Sequence, residues 1–129
     1  MHSAKVFMGL GLLCVLLLGG SFYTSTTFSR DAKMLEEQIN VIEDSINKAD
    51  WTSAEKHLMA IQEKWTKVEN SWVLLLDHVE IENIDTSLLR ISKYVETKNV
   101  SMAISEIAVL RQFINKIPEE ESFSLKNLL

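Results

Sequence analysis

The chain has 129 residues, a formal net charge of −5, and 47% hydrophobic residues. That leaves about 100 residues for one soluble domain with a single modest core. The acidic balance, with both signs interspersed, excludes a nucleic-acid-binding surface, because such a surface repels phosphate.

The first element is an uncharged apolar run over residues 6–23, preceded by Lys5. As a helix it would span about 27 Å, close to the thickness of a bilayer core. Leu10, Leu12, Leu13, Val15, Leu16, Leu17 and Leu18 favour insertion, and Phe22 and Tyr23 sit where an interfacial aromatic belt belongs. Residues 1–23 are therefore expected to be a transmembrane anchor. The competing expectation is a secretory signal cleaved near Gly19-Gly20-Ser21. Both place the remainder outside the cytoplasm. For the anchor this means a single-pass protein of the cell membrane, N-terminus inside and domain outside. Cys14 is the only cysteine and lies within the run, where it reads as a small apolar residue.

Residues 24–29 are rich in Ser and Thr and read as a short joint to a domain over 30–129, either a tether or a helical continuation of the first segment. All four glycines lie in the first 20 residues, and the rest of the chain has one proline, Pro118. Tight hairpin turns and phosphate-binding loops need glycine, so the domain is expected to be all-α, without nucleotide-binding loops.

Apolar residues then recur at helical spacing: Leu35, Ile39, Ile42, Ile46, and 49 positions later Ile84, Leu88, Ile91, Val95. Ala54, Leu58, Ile61, Trp65 and Val68 are matched by Ala103, Ile107, Leu110, Ile114 and Ile117. The breaks match too, with Asp50 and Asn99 at N-cap positions. The pattern predicts helices over about 30–48, 51–76, 79–97 and 100–117. They form two antiparallel hairpins, about 30–76 and 79–117, which must pack together to bury their apolar faces. A closed four-helix bundle and a two-repeat open array both satisfy it, and the second half is either a duplicate of the first or a chance likeness. Ala54 and Ala103 would let the helices of each hairpin approach closely. The tail 118–129 is expected to leave the helix at Pro118, with Phe123, Leu125 and Leu128 folding back onto the bundle.

Of the three tryptophans, Trp65 falls on an apolar stripe and reads as core, and Trp51 reads as closing its hairpin. Trp72 opens the most apolar stretch of the domain, 72–76. It is either a buried crossover or part of a docking patch for a protein partner, together with Asp77 and His78. His78 and Glu82 are four apart on one helical face, and with Asp77 are the weak candidates for a divalent metal; the plainer reading is a helix start at Asp77. No cofactor is expected. No nucleophile has a visible base, so no enzyme is expected. Asn99-Val100-Ser101 matches a glycosylation sequon, but capping already explains Asn99.

The combination of an N-terminal membrane segment, Asp50-Trp51 with Ala54, Trp65, Trp72, Asp77-His78 with Glu80 and Ile81, and an ending from Glu119 to Ser124-Leu125-Lys126-Asn127-Leu128 resembles domain of unknown function 4363. That family comprises small proteins of spore-forming Gram-positive bacteria. The resemblance implies a membrane-attached helical domain, implies no activity, and draws notice to Asp77, His78 and Asn127. The expected function is therefore binding or scaffolding of an envelope protein, with membrane lipid as the second partner. The alternative is a ligand or divalent-metal sensor.

Overall fold

The computed structural model describes the backbone of residues 2–73 and 76–128, and the side chains of 3–19, 29–73 and 76–116. Its described residues form four α-helices: α1 (His2–Asn47), α2 (Trp51–Trp72), α3 (His78–Glu96) and α4 (Val100–Leu128). The chain is all-α, as the glycine distribution implies.

Helix α1 is one element of 46 residues, about 69 Å long. The joint expected at 24–29 does not exist as a break. Nothing after Gly20 in that stretch is Gly or Pro. The lower helix propensity of Ser and Thr costs only a few tenths of a kcal/mol per residue, too little to end a helix flanked by strong formers. Helix α4 likewise continues past Pro118, where a stop was expected. Proline removes one hydrogen bond and kinks a helix without necessarily ending it, and Glu119–Glu121 behind it are good helix formers. The expected fold-back of Phe123, Leu125 and Leu128 concerns side chains outside the described residues. Helix α2 ends at Trp72, short of residue 76, and α3 starts at His78 after an extended Asp77 (φ −63°, ψ 140°).

Helices α1 and α2, α2 and α3, α3 and α4, and α4 and α1 pack together, so the four close into a ring; the α2–α3 seam is the thinnest. The closed bundle is thus realised, and the open array is not. Antiparallel register is fixed by cross-links: Trp72 on Asp31, Arg111 on Glu43 and Asn40, Arg90 beside Glu106, and Lys116 beside Glu80. One end of the bundle carries the turns 48–50 and 97–99. The other carries the α2–α3 link, and from that same end emerge the first 30 residues of α1 and the last turns of α4.

The core follows the 49-residue repeat. Leu35, Ile39, Ile42 and Ile46 are buried, as are Ile84, Leu88, Ile91 and Val95; Ala54, Leu58, Ile61 and Trp65 are buried with Ala103, Ile107, Leu110 and Ile114. Ala32 and Ile81 extend the match by one more pair. Trp51 packs against this core from its edge.

The two turns repeat bond for bond. Lys48 N donates to Asp44 O, Ala49 N to Ile46 O and Asp50 N to Ser45 O; Thr97 N donates to Lys93 O, Lys98 N to Val95 O and Asn99 N to Tyr94 O. Each is a Schellman ending, and its left-handed residue is Ala49 (φ 55°) or Lys98 (φ 56°) where glycine is usual. Asp50 and Asn99 then cap the next helix, accepting from Ser53 N and Met102 N at 3.2 Å each. One residue thus closes one helix and opens the next, which is why links without glycine can be this short.

Candidate functional site

Residues 3–19 of α1 are exposed throughout, with Phe7 at 72% and Met8 at 78%. A Cβ added at Gly9, Gly11 or Gly19 would meet nothing within 4 Å. Among the described residues, this stretch of α1 is an apolar helix exposed along its whole length. Among the described residues no helix is long and apolar enough to cross a membrane. The run continues beyond Gly19 into residues 20–28, whose side chains, Phe22 and Tyr23 included, lie outside the described set.

The α2–α3 seam holds the most distinctive polar chemistry of the bundle. Trp65 is buried on the α2 stripe, and its indole Nε1 donates to Asp85 of α3 at 2.6 Å. One turn further along α2, Glu69 faces the same Asp85. Burial pushes the Glu69 carboxyl above the usual carboxylate range, and the Asp85 charge and a hydrogen bond with Asp85 push it the same way. A neighbouring carboxylate disfavours the charged form of Glu69. Trp65 and Trp72 meet edge to face, with centroids 5.6 Å apart and planes at 80°, a geometry that suits the ring quadrupoles. Trp72 passes the contact on to α1 through its indole donation to Asp31 at 3.2 Å.

A groove of about 220 Å³ opens over this cluster, lined by Gln62, Trp65, Thr66, Glu69, Asp85, Leu88 and Leu89. Leu89 is 60% exposed on its rim. The volume is below the roughly 300–1,000 Å³ of small-molecule sites, so it suits a side chain of a partner better than a free ligand. A larger hollow of about 570 Å³ runs along α4, lined by Ala108, Arg111, Gln112, Asn115 and Lys116. Its described walls come from one helix, so no groups converge on it from opposite sides. Arg111 is moreover engaged in holding α4 to α1, donating to Glu43 at 3.2 Å and Asn40 at 2.9 Å.

The residues singled out from sequence fall differently. Trp72 is fully buried, so it does not line an exposed docking patch. The cause is its pairing with Trp65, two turns back on the same helix, and with Asp31, remote in sequence. Asp77 occupies the N-cap of α3 through its backbone carbonyl, which accepts from Glu80 N at 3.1 Å; its side chain makes no capping bond. His78 Nε2 lies 3.1 Å from Glu82 Oε1, both largely exposed. Asp77 does not complete a ligand set with them: among the described residues no group of three or more His, Cys, Asp or Glu is placed to hold a metal ion. Asn127 lies outside the described side chains. Sequence reasoning missed Asp31, Glu69 and Asp85. Their signal was indirect: a buried indole needs an acceptor, and a carboxylate on a facing helix is an available one.

A model of domain of unknown function 4363 matches residues 22–128, so the bundle defines the chain as a member of a helical family with no assigned activity. The chain belongs to the domain of unknown function 4363 family. It matches no curated protein and no solved structure.

Proposed function

We propose that this protein is a single-pass, membrane-anchored helical bundle on the outer face of the cell membrane that binds another envelope protein. The α2–α3 groove is the contact, and it takes a helical segment that sets a basic residue beside an apolar one. The observation that carries the reading is the Glu69–Asp85 carboxylate pair beside the exposed Leu89 and the Trp65–Leu88 floor. An apolar floor with a fixed acidic edge matches the hot-spot pattern of a buried anchor plus a complementary charge. The uncharged run over 6–23 and the exposure of residues 3–19 support the anchor. The absence of any nucleophile with a base in the sequence supports a binding role over an enzymatic one.

The test places a photo-crosslinking residue at Leu89 of the full chain in its native membranes, with the same residue at Lys98 in the opposite end of the bundle. One dominant adduct from Leu89, mapping to a basic amphipathic segment and lost with Glu69→Lys, is expected. No adduct at Leu89, or an equal one at Lys98, overturns the assignment.

A further inference from the structure

The α2–α3 link lies at the end of the bundle from which the apolar part of α1 emerges. Its height is fixed, because Trp72 at the end of α2 is bonded to Asp31 of α1 at 3.2 Å. A hydrocarbon core of about 30 Å takes about 20 helical residues, so a core entered at Val6 is left near Ser25. Asp31 then stands about 9 Å above the core surface. The headgroup layer on each side is about 5–7 Å deep. Val73, the residue after Trp72, continues α2 toward that layer.

What the bundle shows on this underside is apolar. Val73 is 48% exposed, Val79 is 57% exposed, and Leu76 is half-buried between them. On α1, Arg30 and Lys33 are exposed near the same height, where lipid phosphates lie. Since α1 is unbroken from the apolar run to Asn47, the underside cannot swing away on a flexible tether.

We infer that Val73, Leu76 and Val79 form a second membrane contact, resting in the headgroup layer of the bilayer that holds α1 and seating the bundle directly on the surface. This rests on the anchor proposed above. The occupant is the lipid surface, because the continuous helix and the Trp72–Asp31 bond place that surface against this underside and no other.

The experiment uses the full chain with Cys14→Ala and a single cysteine at position 73, 16 or 98, each labelled with an environment-sensitive fluorophore. The chain is reconstituted into phosphatidylcholine vesicles containing, in separate samples, a lipid spin-labelled near the headgroup, which reads positions 73 and 98, or one spin-labelled near the end of the acyl chain, which reads position 16. Quenching at position 73 at least several-fold stronger than at position 98 is expected, together with quenching at position 16. Quenching at 16 but none above the position 98 level at 73 overturns the second contact and leaves the anchor standing. That outcome includes a probe at 73 shielded by a protein partner or a second copy. No quenching at 16 overturns the anchor and the second contact with it.

Discussion

The indole Nε1 of Trp72 donates to the carboxylate of Asp31 across 3.2 Å, joining residues 41 positions apart and fastening the last turn of α2 to the point where α1 enters the bundle. Trp72 is wholly buried, so the bond satisfies a donor that water cannot reach. Removing the acceptor leaves that donor stranded, which costs about 1–3 kcal/mol. Asp31→Ala is therefore expected to lower stability by that amount in urea unfolding of the full chain, followed by circular dichroism in mild detergent. Asp31→Ala combined with Trp72→Phe should cost less than the sum of the two single changes, because the two residues form one interaction. Strict additivity would show that the bond contributes nothing.

The two Schellman turns carry a left-handed Ala49 and Lys98, a conformation costly for residues with a Cβ. Ala49→Gly and Lys98→Gly should each raise the urea midpoint, by about 0.5–1 kcal/mol of stability, with no change in helix content. The same substitution at Ala54, in the interior of α2, should destabilise, since there glycine only adds chain entropy and leaves a void.

Glu69 titrates above its ordinary range in the folded chain, through burial first and the nearby Asp85 second. Between the unfolded and the folded pKa the native state holds more protons than the unfolded state. The stability that Glu69 contributes is thus full below its unfolded pKa and lost as pH rises through the folded one. Urea midpoints should fall over that window for the wild type, and Glu69→Gln should flatten the fall. An unchanged slope in that variant would remove Glu69 as its source.

Among the described residues His78 and Glu82 form an exposed pair without a third ligand. Addition of zinc, manganese or calcium is expected to leave the melting temperature of the full chain unchanged, because a ligand bound only by the native state would raise it. A rise that disappears with His78→Ala would restore the metal-sensor reading.

The legible part of this fold is the repeated part. Leu35/Ile84 through Trp65/Ile114 are spaced by 49, and each helix buries the stripe that its spacing predicts. Asp50 and Asn99 were readable because capping is a local interaction, settled within three residues. Residues 24–29 follow the helical-continuation reading, whereas the stop expected at Pro118 does not occur, because a proline ends a helix only when nothing around it holds the helix. The groove was the least legible. Trp65 and Asp85 lie 20 residues apart on different helices, and Trp72 and Asp31 lie 41 apart. No periodicity within one helix encodes a bond between two. Trp72 opens a stretch that composition leaves open between a buried crossover and an exposed patch, and its bond to Asp31, which no local pattern encodes, turns the ring inward while Val73 beside it stays exposed.

An uninterrupted α1 has a directional consequence. Each residue advances a helix by about 100°, so the compass bearing of the α2–α3 groove is locked to the phase of the apolar residues that precede it. A single residue inserted within 24–29 would re-aim the groove by more than a quarter turn without altering one contact inside the bundle. With the anchor proposed above, a neighbour in the plane of the membrane could then meet it from one side only, and that side is written in the number of residues between Tyr23 and Asp31.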